Sequence, residues 1–270
     1  MTDDLLKRAQ ALVPAGAGMP SRLEARRPEY SLDKVRDTLS KSRTGLDAYL
    51  IFDTTGSMQT YIDAARQSID DLTSELLKNG DDVRISINGI GDHCDGEQWL
   101  QMYALSKKPE EVKGAIESIV LTNGGDEPEA YECLATILAK RLPKESEGRK
   151  RVVVLVADSL PHGMNDEECQ YCSGGYKNAF SAMKVVTDGF YLVGCNLQTY
   201  SQQRELIDSS NPEKEQFIPL GKMVGVLTPL MVALAKKQQS EKALLGYLNN
   251  LSLSNPETAK AVRGLLAAGK

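Results

Sequence analysis

The segment from Val152 to Val156 reads Val-Val-Val-Leu-Val, five apolar residues with no alternation. A half-exposed strand alternates apolar and polar residues, so such a run belongs to a central parallel strand covered on both faces. Three further β-rich runs accompany it: Leu46 to Phe52, Val83 to Ile90 and Phe190 to Cys195. Between them the period becomes helical. Met58, Ile62, Ala65, Ile69, Leu72 and Leu76 recur at steps of three and four, forming one apolar stripe that ends before Asn79-Gly80. Pro128 to Ala139 reads as a second helix, with Asp126 just ahead as N-cap and Pro128 in its first turn. Tyr176 to Val186 reads as a third. Trp99 to Leu105 is expected to form a short strand hairpinned to the second run, because the link from Gly91 to Gln98 is too short for a crossover helix. Strands alternating with helices specify a mostly parallel sheet with helices on both faces. Ligands of such sheets bind beyond the C-terminal strand ends.

A chain of 270 residues accommodates one large domain with appendages. The core is expected over residues 45–239. A polar N-terminal arm, residues 1–44, precedes it, broken by PAGAGMP and RRPEYS. Met223, Val226, Leu227, Leu230, Met231 and Leu234 mark a last core helix. A C-terminal helical extension, residues 240–270, reads as two short helices split at Ser254-Asn255-Pro256. Its apolar residues (Leu244, Leu245, Tyr247, Leu248, Leu251, Val262, Leu265 and Leu266) either pack on the core or offer a self-association surface. The net charge of −5 argues against a nucleic-acid partner, which needs a basic stripe. No apolar run approaches the ~20 residues of a membrane span, and the start has no basic region ahead of its short apolar stretch. Five scattered cysteines fit a reduced, cytoplasmic protein.

The residues richest in chemistry are Asp53-Thr54-Thr55-Gly56-Ser57, at the end of the first strand. A carboxylate and two hydroxyls at steps of two, in a tight loop, aim hard oxygen atoms at one point, as Mg²⁺ prefers. The competing reading is local capping, with Thr55 or Ser57 opening the helix and Asp53 accepting from loop amides. Two further acids bear on that choice. Asp158 ends the most apolar strand, and Asp126 lies in the loop Thr122-Asn123-Gly124-Gly125-Asp126, so all three sites share one rim of the expected sheet.

With those residues in place, the chain resembles a von Willebrand factor type A domain over about residues 45 to 235. DTTGS matches the metal-ion-dependent adhesion site pattern of that family, D-x-[ST]-x-S. The resemblance implies a Rossmann-like α/β fold: a central, mostly parallel sheet, one antiparallel edge strand and helices on both faces. It implies Mg²⁺ or Mn²⁺ held by Asp53, Thr55 and Ser57 from the first loop and Asp158 from the third. Asp126 stands where the family usually has a second-loop threonine, with Thr122 as the alternative. The run GDEPEA, Gly91 to Asp95, and Ala157 to Gly163 look most like intracellular bacterial and alpha-kinase-associated members. The function so implied is a non-catalytic protein-interaction module in an intracellular assembly, where relatives work beside AAA-type ATPases. The partner would present an Asp or Glu to the metal. A third carboxylate leaves a charge of about −1 around Mg²⁺, which tightens metal binding and weakens the metal as a Lewis acid.

Two other chemistries are legible. A strand-end Asp beside Mg²⁺ is the nucleophile of haloacid-dehalogenase-type phosphohydrolases, but those enzymes resemble D-x-D-x-T, and position 55 is threonine. A purely structural subunit, with the metal buried, is the other alternative. Cys169-Gln170-Tyr171-Cys172 has zinc-ligand spacing, and His93 and Cys94 lie in another rim loop. The second half of a zinc pattern is missing, which favours reduced loop thiols, with His162 shaping its Pro-His-Gly turn. Cys133 and Cys195 read as core residues.

Overall fold

Every residue of β1 (Leu46–Asp53) is buried, because the strand is paired on both edges and covered on both faces. The computed structural model describes residue 43 and residues 45–78, 81–124, 128–172, 174–207 and 211–268. The remaining strands are β2 (Val83–Ile90), β3 (Leu100–Met102), β4 (Pro128–Glu129), β5 (Lys150–Ala157), β6 (Leu160–Pro161), β7 (Gly189–Gly194) and β8 (Glu215–Pro219). Six of them form one sheet in the order β3-β2-β1-β5-β7-β8. Only β3 runs antiparallel, at the edge beside β2. The architecture is Rossmann-like α/β.

The period of two decides which side chains enter which core. Leu46, Ala48, Leu50 and Phe52 of β1 join one apolar cluster, and Tyr49 and Ile51 the other. Val152, Val154 and Val156 of β5 oppose Val153, Leu155 and Ala157 in the same way, so the unbroken apolar run is divided between two cores. Each fully buried Val or Leu contributes about 1.5–3 kcal/mol relative to exposure. The first core is covered by α1 (Gln59–Gln67), α2 (Ile69–Leu76), α3 (Pro109–Ser118) and α6 (Leu227–Gln239). The second is covered by α4 (Tyr131–Glu145) and α5 (Gly175–Val186).

Several expectations need correction. The stripe from Met58 to Leu76 is not one helix: Met58 ends a 3₁₀ turn, and α1 and α2 are broken at Ser68. The Ser68 hydroxyl donates to the Ala64 carbonyl at 2.6 Å, a back-bond that bends helices, and contacts the Thr228 hydroxyl at 2.6 Å. The helix expected from Pro128 starts at Tyr131; Pro128 and Glu129 instead pair in parallel with Leu160 and Pro161. Proline lacks the N–H a helix interior needs but is tolerated in such a short edge ladder. The expected N-cap, Asp126, lies outside the described residues, as does most of the arm over 1–44. Helix α3 and strand β8 were not expected. Within the described residues no helix is long and apolar enough to cross a membrane.

The C-terminal segment splits where its sequence indicates. Helix α7 (Glu241–Ser254) is capped by the Ser240 hydroxyl, which accepts from the Ala243 amide at 3.1 Å. Helix α8 (Pro256–Ala268) begins with the Asn255 side chain accepting from the Thr258 amide at 3.1 Å. Tyr247, Leu248, Val262 and Leu265 belong to the first core, so these faces pack inward. Leu253 remains 86% exposed. Deleting residues 240–270 uncovers that core, and the expected outcome is a loss of soluble protein on expression, read by sedimentation of the lysate.

At the opposite end of β1 from its loop, Asp47 is wholly buried and clamped by two guanidinium groups. Arg84 donates to it at 2.8 Å and Arg149 at 2.6 Å, joining β1, β2 and the start of β5. Burial pushes the carboxyl up, and the hydrogen bonds from Arg84 and Arg149 more than offset it, leaving the pKa below the usual range. A lowered folded-state pKa adds stability above the unfolded value, lost as the pH falls through the folded one. Asp47→Ala removes the carboxylate that faces partly buried Arg84 and leaves Arg149 with Asp82. We expect it to cost about 3–5 kcal/mol in urea denaturation at pH 7, with the penalty shrinking below about pH 4.

Candidate metal centre

The sheet order reverses at β1: β2 follows on one side and β5 on the other. Beyond the carboxyl ends of two such strands lies the crevice where open α/β sheets bind ligands. Phe52 pairs with Val156, so Asp53, the last residue of β1, and Asp158, just beyond β5, leave the sheet at the same edge. Asp53 shares the face of Tyr49 and Ile51 and is therefore directed toward α4. There the Tyr131 hydroxyl donates to Asp53 Oδ2.

The other carboxylate oxygen serves the loop. Asp53 Oδ1 accepts from the Thr55 amide at 2.8 Å and from the Thr55 hydroxyl at 2.7 Å. Thr55 Oγ1 lies 3.3 Å from Ser57 Oγ, and Ser57 is exposed in the 3₁₀ turn Gly56–Met58. The three residues expected as the first metal loop thus form one continuous chain from a buried carboxylate to solvent. Neither Thr55 nor Ser57 caps the following turn with its side chain. Thr54 faces the other way, donating to the Ile90 carbonyl at 3.1 Å. Thr122 Oγ1 lies 3.2 Å from Thr54 Oγ1, so the alternative second-loop hydroxyl is turned toward Thr54. Asp126 lies outside the described residues. Asp158 stands half-buried, its backbone carbonyl accepting from the Thr199 hydroxyl at 3.1 Å.

A residue that the sequence reading passed over adjoins this chain. Glu129 is buried in β4, and its Oε2 has no hydrogen-bond partner among the described residues. A Cβ placed on Gly124 would lie 3.3 Å from Thr55 Cγ2 and 3.7 Å from Glu129 Oε1, which sets the acid near the loop from Asp53 to Ser57. Burial, followed by the charges of Asp53, Asp92, Asp95 and Asp158, pushes the Glu129 carboxyl up to about 10. Burial and then the Asp158 charge push Asp53 up as well, against the hydrogen bonds from Tyr131 and Thr55. In both, burial is the larger cause and the neighbouring acids add to it. In the first turn of a helix starting at Pro128, Glu129 gives no sign of turning inward; its place in β4 is what turns it. The donor set (carboxylate and hydroxyl oxygens, one buried oxygen unpartnered) fits a small hard cation such as Mg²⁺ or Mn²⁺.

The surrounding rim is held by a charged triad. His162 Nε2 lies 2.7 Å from Asp92 Oδ1, and Nδ1 lies 3.0 Å from Asp166 Oδ2. The Asp92 hydrogen bond raises the imidazole to about 9, so it is cationic at neutral pH and ties the loop after β2 to the loop after β6. His162 also shapes its own turn, with Gly163 at φ +82° donating to Asp166 Oδ1 at 2.7 Å. Of the residues considered for zinc, Cys94 is exposed, whereas Cys169 lies 3.4 Å from Cys133, sulfur to sulfur. Cys133 therefore belongs to a thiol group and not only to the apolar core.

Tyr131 is the side chain from α4 that touches the site. Tyr131→Phe removes a buried donor to a carboxylate, and we expect a loss of about 1.5–3 kcal/mol in urea denaturation, with native-like circular dichroism. No family model matches this chain, and no curated protein matches it.

Proposed function

We propose that this chain is a divalent-cation-dependent protein-binding module of the von Willebrand factor A type, and that it acts without catalysis. The carrying observation is the chain from Asp53 through Thr55 to exposed Ser57 at the switch point of the sheet, beside buried Glu129, whose Oε2 has no hydrogen-bond partner among the described residues. Asp53, Thr55, Ser57 and Asp158 would hold Mg²⁺ or Mn²⁺, and Glu129 would supply balancing charge beside them. The bound ion would offer exchangeable positions to a carboxylate of a partner protein.

The residues themselves favour binding over turnover. Thr55 stands where a phosphohydrolase would carry its second acid, and its hydroxyl is committed to Asp53. Asp53, the one nucleophile such a reaction would use, is fully buried and hydrogen-bonded on both oxygens. Ser57, by contrast, reaches solvent and is suited to stand at a binding surface. The recognition chemistry these residues offer is charge and oxygen ligation.

Mg²⁺ at a hundredfold excess over its dissociation constant should stabilise the folded state by about 2.7 kcal/mol, seen as a rise in Tm that Asp53→Ala abolishes. In a pull-down, partner recovery should fall with a chelator, return with Mg²⁺ or Mn²⁺, and be lost in Ser57→Ala at unchanged Tm. Ca²⁺ should substitute poorly, since it takes more ligands at longer distances. An unaltered melting curve at millimolar Mg²⁺ would sink the cation reading. Identical recovery with and without chelator would leave the ion structural.

A further inference from the structure

The rim holds a second cluster of metal-ligating side chains, of different chemistry. His93, Glu132, Cys133 and Cys169 present ligand atoms that all lie within 4.8 Å of one another. They come from three separate segments: the loop after β2, the first turn of α4, and the loop between β6 and α5. His93 Nε2 lies 3.2 Å from Cys133 Sγ, and Cys133 Sγ lies 3.4 Å from Cys169 Sγ. Zinc–sulfur and zinc–nitrogen bonds of about 2.3 and 2.0 Å give a tetrahedron with edges of roughly 3.3–3.8 Å. The matching edges, about 3.5 Å for nitrogen to sulfur and about 3.8 Å for sulfur to sulfur, are a few tenths of an ångström longer than the two spacings, so a small outward shift of the donors would admit one ion. None of the five cysteines is in a disulfide.

Two of the donors, His93 and Glu132, are aimed by their surroundings. The His93 ring sits between Trp99 and Tyr171, with ring centroids 4.4 and 4.3 Å away, which fixes the direction of Nε2. Glu132 is fully buried. One of its carboxylate oxygens accepts from the His162 amide at 3.1 Å, and the other from the Cys172 thiol at 3.9 Å. Outer partners of this kind orient ligating carboxylates in metal sites. Two thiols, an imidazole and a carboxylate are borderline-soft donors, a set that suits Zn²⁺ and not Mg²⁺.

We propose that His93, Glu132, Cys133 and Cys169 form a closed, structural Zn²⁺ site that clips three rim loops together. Cys133 and Cys169 bind as thiolates, each releasing its proton to solvent. Cys172 supports the site through Glu132. The proposal is independent of the cation reading at Asp53: its donors belong to a separate set and prefer a different metal.

The test uses the full chain, purified under reducing conditions, stripped of metal and then supplied with Zn²⁺ or Co²⁺. We expect stoichiometric zinc by elemental analysis after dialysis. Co²⁺ should give the sulfur-to-metal charge-transfer band and the intense visible d–d bands of tetrahedral thiolate ligation. Cys169→Ser, on a loop and so the variant least prone to misfold, should reduce retained zinc to background and remove the charge-transfer intensity contributed by that thiolate. His93→Asn should weaken zinc retention while leaving thiolate bands with Co²⁺. Folding of each variant is checked by circular dichroism. A reduced, folded wild type that retains no zinc and gives no thiolate band with Co²⁺ would overturn the site. So would undiminished zinc in Cys169→Ser.

Discussion

Parallel pairing of β1 with β5 is the constraint on which the rest depends. Parallel strands covered on both faces all point their carboxyl ends to one edge, so whatever follows them is gathered there. Asp53 ends one strand and Asp158 follows the other, and the reversal of strand order between them leaves that edge open. The opposite end of the sheet compensates its buried acid fully: Asp47 lies between Arg84 and Arg149. The carboxyl edge does not, since Asp53 meets only hydroxyls and an amide, and Glu129 Oε2 meets no donor among the described residues. The same strand thus carries an acid held by two guanidinium groups at one end and an acid held by neutral donors at the other.

That contrast separates stability from function. A buried acid with two guanidinium partners holds strands together and needs no ligand. Buried acids that raise one another's pKa are costly to the metal-free chain and become favourable once a cation arrives. The tyrosine from α4 limits the cost by donating to Asp53, and Gly124 keeps room between Thr55 and Glu129. Rim loops are long and carry much polar backbone, so they need fastening. The His162 triad supplies one such tie, and the thiol and imidazole cluster at Cys133 stands where a second is needed.

Much of this was legible along the chain, for reasons that can be assigned residue by residue. The run Val152 to Val156 identifies a central strand because only burial on both faces tolerates five apolar residues in succession. DTTGS is informative because Asp53, Thr55 and Ser57 fall within one loop and so depend on local spacing alone. The C-terminal break at Ser254-Asn255-Pro256 is equally local. Misreadings occurred where distant contacts took over. Ser68 breaks the stripe from Met58 to Leu76 through a hydroxyl shared with Thr228, far along the chain. Pro128 and Glu129 leave the helix because a parallel partner, Leu160-Pro161, is available.

The sequence by itself determined the α/β class, the strands that carry Asp53 and Asp158, and the helical nature of the last segment. Those features follow from hydrophobic period and turn chemistry, which act over a few residues. Tertiary structure decided which side chains became neighbours. Glu129 reached the site of Asp53 by joining a two-residue ladder, and Tyr131 reached it by opening a helix on the matching face of the sheet. Cys133, some forty residues after His93, looked like an ordinary apolar position on a helix; only the folding of three loops onto one rim brought its sulfur to His93 and Cys169. Contacts between residues so far apart in the chain leave no period to read, because the chain between them can be almost anything that closes the loop.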